Sequence, residues 1–191
     1  MKKIIILLIP FVLVSVINIS SFAQKGKNTK WYKKGAQMVY SVNGAYDFTV
    51  TIKNLKKGID FDFTMKNGDI KGNIKITPEA MNSATRMDNY FRSGDYVFKD
   101  KTTVWVSKAI YKSLKKNENI SIQPSNVTEI LKLVGSEQLK VKIDGQETEI
   151  TVLHAKTDRG SDFWIWDNPN APIIMHMIID FEVNISEIKS K

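Results

Sequence analysis

The chain has two histidines, His154 and His176, and each lies in a stretch that reads as a β-strand. An imidazole can serve as a general base or as a metal ligand, and either use needs partners at fixed spacing. Neither histidine has a second one at metal-ligand spacing, so no metal site is expected and each is assigned a structural or surface role. If their strands were neighbours, Asp180 or Glu182 could complete a paired site. A serine nucleophile would have to recruit one of these histidines, yet no Gly-x-Ser-x-Gly elbow occurs. Asp60 and Asp62 share a strand face and Asp158 and Asp162 flank a turn, but alternating Asp on a wet face ordinarily serves solubility rather than glycoside hydrolysis. Asp158, Asp162, Asp167, Asn168 and Asn170 offer oxygen ligands without calcium-loop spacing. Phosphate-cradling and dinucleotide glycine patterns are missing from the sequence as well. The expectation is a protein that is not an enzyme and carries no cofactor.

The suggestive residues are aromatic. Trp164 and Trp166 fall on one face of a strand and Phe163 and Ile165 on the other, so both faces carry bulk that must be covered. Tryptophans covered by a helix or loop are ordinary core. Tryptophans lining a groove give an apolar or glycan ligand much contact area with few torsions to freeze. Trp105 and Tyr111 join them as candidate ligand-binding residues, as do Met175 and Met177, whose flexible thioethers suit a variable acyl chain. The candidate set is therefore Trp105, Tyr111, Trp164, Trp166, Met175 and Met177.

The elements that must hold these residues are mostly strands. Tyr46, Phe48, Val50 and Ile52 alternate with polar residues, and Asn43-Gly44 links them back to 37–42 as a hairpin. Ile59 to Met65 repeats the design and turns at Asn67-Gly68 into 70–77. Thr77-Pro78-Glu79 reads as a helix start, predicting a helix from Pro78 to Phe91 or Arg92 that stops at Gly94. Short strands are expected at 96–98 and 103–106, and Ser107 is expected to cap a helix over 108–116. Pro124 breaks the next region, and 127–134 fits either a short helix or a strand, with the helix preferred. Strands then follow at 139–143, 147–155 and 162–166, and a single long one runs from Ile173 to Ile185. The sum is an α+β domain: a curved antiparallel sheet, a half-open β-barrel of about nine or ten strands covering two or three helices.

Export is legible at the start of the chain. Lys2 and Lys3, the apolar run 4–17 and the small residues of Ser21-Phe22-Ala23 form a cleavable signal peptide over 1–23, leaving 168 of the 191 residues. A basic, flexible leader is expected over 24–35, ahead of one strand-rich domain over 36–191. With no cysteine, the chain has no disulfide, thiol catalysis or lipid-anchoring thioether, and packing must supply the stability. The charge of +8 is spread along the chain, and no nucleic-acid recognition motif accompanies it. A monomer is expected, in the periplasm or secreted, with peripheral contact to an anionic membrane as a further expectation.

An exported, cysteine-free domain that opens with a strand meander, crosses through helices and closes with long strands resembles the half-barrel carriers of the periplasm, the family of the outer-membrane lipoprotein carrier. The segment 163–188, with Trp164-Ile165-Trp166-Asp167-Asn168-Pro169 and then Pro172 before alternating residues, is similar to the close of uncharacterised exported Bacteroidetes proteins. The resemblance is one of architecture and transfers no site residue. It implies a concave face that binds acyl chains, and so a carrier for a lipid, lipoprotein or other hydrophobic ligand, with a role in outer-membrane biogenesis. The alternative is a non-catalytic envelope module that seats a protein partner.

Overall fold

In a computed structural model of the chain, residues 30–190 are described. The expected signal peptide and the first part of the basic leader lie outside them. The elements in chain order are β1 (Gln37–Val42), β2 (Tyr46–Asn54), β3 (Ile59–Met65), β4 (Ile70–Ile76), α1 (Pro78–Ser83), β5 (Arg86–Met87), β6 (Gly94–Phe98), β7 (Lys101–Thr102), α2 (Lys108–Lys115), β8 (Ile120–Ile122), β9 (Glu129–Ile143), β10 (Gln146–Thr157), β11 (Asp162–Trp166), β12 (Ile174–Ile178) and β13 (Glu182–Lys189). Eleven strands form one curved sheet in the order β6-β4-β3-β2-β1-β13-β12-β11-β10-β9-β8, while β5 and β7 form a small separate ladder. The sheet is antiparallel except where β6 joins β4 and where β13 touches β9 over two residues. It is a sheet-dominated α+β fold and stays open rather than closing as a barrel.

The hairpin chemistry is realised as read. Asn43 and Gly44 both have positive φ (51° and 65°), the twist a two-residue hairpin loop demands. The edge pairing of β4 with β6 depends on glycine: a Cβ on Gly72 would lie 1.8 Å from the carbonyl oxygen of Gly94. Ser107 caps α2 by accepting the Ile110 N–H, and Thr77 caps α1 by accepting that of Ala80.

Four expected elements differ. The strand expected at 103–106 gives way to the two-residue β7 and a tight turn over 103–105, closed by the Trp105 N–H donating to the Thr103 carbonyl. The helix predicted from Pro78 to about Arg92 ends at Ser83. Its continuation finds other backbone partners, since Met87 N–H donates to Gln123 O, Gln123 N–H to Thr85 O and Asp88 N–H to Thr102 O. Tertiary pairing thus overrides local helical spacing, and 88–93 becomes an irregular strap. Residues 127–134, expected as helix, are extended, because from Glu129 the chain pairs with β8 on one side and β10 on the other. The long final strand breaks at 179–181, where Glu182 is pinned by exchanging two hydrogen bonds with Asn43.

Two hydrophobic clusters result. The larger gathers Met38, Tyr40, Phe48, Phe61, Phe63, Trp105 and Trp166 with residues of α1. The smaller packs Ile110, Tyr111 and Leu114 of α2 onto Leu153, Phe163, Ile165 and Met177. Packing begins earlier than the expected domain start. Trp31, within the residues read as leader, is buried and stacks on Trp166 at 4.8 Å between ring centroids.

Candidate ligand cavity and the tryptophan stack

Strands β1, β2, β12 and β13 and the strap enclose a cavity of about 470 Å³. Its wall is apolar where the sheet supplies it, from Tyr40, Phe48, Met65, Ile174, Met177 and Val183. The strap contributes Asn89, Tyr90, Phe91 and Arg92, and the turns and loops add Asn43, Lys66, Thr103, Val104 and Phe181. Phe91 reaches in as a plug, with its ring centroid 4.5 Å from that of Phe48 and 5.1 Å from that of Phe63. A second space of about 310 Å³ opens on the same strap, lined by Ile74, Asp88, Tyr90, Phe91, Arg92, Tyr96 and Phe98. Tyr90 is the exposed cover. Its ring meets Phe181 edge-on at 5.6 Å and its hydroxyl donates to Asp180 at 2.7 Å, a bond that raises the phenol's pKa.

The cavity wall also holds a strained residue. Val104 has φ of 61°, and the Trp105 N–H donates to the carbonyl oxygen of Thr103 at 2.6 Å, closing a three-residue turn around it. A β-branched residue in that region costs about 1–3 kcal/mol, and such positions cluster at binding sites. The turn places Val104 on the cavity wall and Trp105 in the core beside Phe61.

Of the six residues expected to bind ligand, Met177 alone lines this cavity. Trp105, Trp166 and Met175 are buried core. Tyr111 belongs to the α2 cluster, and its hydroxyl donates to Asp167, which also accepts from Lys115. Trp164 has no free face: His154 stacks on one side at 4.3 Å and His176 on the other at 4.4 Å. The two histidines are thus brought within one strand of each other, across β11, a pairing that could not be read from their spacing. Glu137 accepts from the Trp164 indole and faces His154 Nδ1 at 2.9 Å, Asp162 faces His154 Nε2 at 3.0 Å, and Glu182 faces His176 Nε2 at 2.9 Å. With both ring nitrogens of His154 facing carboxylates, the assembly reads as a cross-strand clasp.

No family model, curated protein or solved structure matches this chain. The geometry must therefore carry the functional reading. Among the described residues no group of three or more His, Asp or Glu is placed to hold a metal ion, and no helix is long and apolar enough to cross a membrane. The oxygens considered for calcium bind protein groups instead: Asp158 accepts from Ile130 N–H and Asn168 from Asn170 N–H. Asp60 and Asp62 both accept from the Asn73 side chain.

The residues that sequence reasoning missed are Tyr40, Phe48, Phe91, Lys66 and Arg92. Phe48 was visible as an inward strand residue, but nothing local marks a cavity formed between strands 130 residues apart, as Tyr40 and Ile174 are joined by a hydroxyl-to-carbonyl hydrogen bond of 3.1 Å over a separation of 134.

Proposed function

We propose that the chain is an extracytoplasmic carrier or binding protein for a lipid or other hydrophobic ligand, which sits in the cavity between β1, β2, β12 and β13. The observation that carries this reading is the cavity itself. Its volume of about 470 Å³ lies within the roughly 300–1,000 Å³ of pockets that bury small ligands. Its wall is mostly aliphatic and aromatic, with methionines at Met65 and Met177 that adapt to chain shape. An irregular strap forms its cover, which suits a ligand that must enter and leave. Periplasmic placement rests on the export pattern in 1–23, and the carrier reading agrees with the half-barrel likeness.

A second reading, a protein-interaction module, draws on β6. This edge strand leaves Tyr96 and Val97 exposed, and an open edge can add a partner's strand.

Native mass spectrometry of the chain from Gln24 onward, purified from cells, separates the two. The carrier reading expects co-purified species carrying an alkyl chain. A ligand-free protein that takes up no alkyl probe when titrated overturns it.

A further inference from the structure

Charge is distributed unevenly around the cavity. Its lining includes two cations, Lys66 and Arg92, and no Asp or Glu. Arg92 is exposed and makes no ion pair or hydrogen bond among the described residues. Lys66 forms no ion pair either, and its ammonium rests 5.4 Å from the centroid of the Tyr46 ring. Of the carboxylates nearby, Asp180 accepts from Tyr90 and Glu182 faces His176, while Asp69, whose N–H donates to the Lys66 carbonyl, pairs with neither cation.

Both cations sit where the backbone turns. Lys66, with φ of 50°, opens the single 3-10 turn 66–68 between β3 and β4, and Arg92 lies on the strap. Two positive groups that form no ion pair among the described residues therefore sit at a cavity whose remaining wall is mostly apolar. A neutral alkyl ligand would satisfy the wall and leave both cations uncompensated. An alkyl chain ending in an anion satisfies both.

On the reading that this cavity holds an alkyl chain, we propose that its occupant is a single-chain amphiphile with an anionic head, a carboxylate or a phosphate, and that Lys66 and Arg92 bind the head. One chain is specified because Phe91, packed on Phe48 and Phe63, stands between this cavity and the neighbouring 310 Å³ space. Both cations are exposed, so each contact is screened and contributes modestly, as exposed pairs do. Two such contacts amount to roughly a tenfold preference for the anion over an uncharged head.

The test is a calorimetric titration of the mature chain with dodecanoate, dodecyl phosphate and dodecanol at low salt, repeated with Lys66→Met/Arg92→Met. Expected are about tenfold tighter binding of the two anions than of the alcohol, a preference that shrinks with added salt, and its loss in the double variant while dodecanol affinity stays within about twofold. Equal affinity for dodecanoate and dodecanol in the native sequence overturns the head-group assignment and leaves the carrier reading standing. A preference that persists in the double variant overturns the roles of Lys66 and Arg92. If none of the three amphiphiles binds, the carrier reading falls and this proposal with it.

Discussion

At Asp162 two opposing effects meet. Burial pushes its carboxyl up, but hydrogen bonds from His154 and Lys156, together with their charges, pull it below the usual carboxylate range. A carboxylate with a lowered value in the folded state contributes stability above its ordinary value of 3.8, and that contribution is lost as pH falls through the folded value. Asp162→Asn should therefore cost about 1–3 kcal/mol at pH 7, the scale of a hydrogen bond to a charged group. Urea melts at pH 7 and at pH 3 would show the gap between variant and native chain closing in acid. A gap as wide at pH 3 as at pH 7 would remove the charge from the explanation. The partners of Asp162 were not legible in the sequence. The turn at 158–160 was, because its chemistry is local, but the Trp164 stack needs the register that sets His154 opposite Trp164 and Trp164 opposite His176. That register also leaves neither ring face of Trp164 open, since the two imidazoles stack on them.

Among the elements, the strands were readable and the strap was not. Period-2 alternation and Asn-Gly turns act over a few residues, and β1 to β4 follow them closely. The apolar spacing of Met81, Ala84, Met87 and Phe91 is equally regular, yet the helix stops because 85–88 bond to Gln123 and Thr102. What looked like one face of a helix is instead a short helix followed by the cavity cover. The cover depends on β6 docking beside β4, since the strap ends where Gly94 meets Gly72. Gly72→Ala places a methyl where the Gly94 carbonyl lies, and displacing that strand should cost about 1–3 kcal/mol. Hydrogen exchange should quicken over 94–98 and the strap, with the β10–β11 ladder unaffected. Unchanged exchange at 94–98 would mean that the strap is held by Phe91 alone.

For the whole molecule, the open curved sheet creates the cavity. The eleven strands do not close into a barrel, so the inward faces of β1, β2, β12 and β13 are left for the strap to cover. Two of the tryptophans expected as ligand groups are buried in the scaffold: Trp166 stacks on Trp31 and so joins the start of the domain to β11, and Trp105 fills the core next to the strained Val104 turn. Large aromatic residues in a sequence mark burial, and sequence alone does not say whether a ligand or the protein's own chain does the covering. The central claim is that an alkyl chain occupies the cavity. Ile70 lines it from β4 and is half-buried, so Ile70→Trp adds bulk to the space at modest cost to the core. The direct measurement is a titration of native chain and Ile70→Trp with an uncharged naphthylamine dye that brightens in apolar surroundings, followed by displacement with dodecanoate, both proteins first shown to be folded by circular dichroism. The account predicts dye binding to the native chain, its displacement by dodecanoate, and at least tenfold weaker binding to Ile70→Trp, about 1.4 kcal/mol. Equal binding of dye and dodecanoate by the two proteins would contradict it.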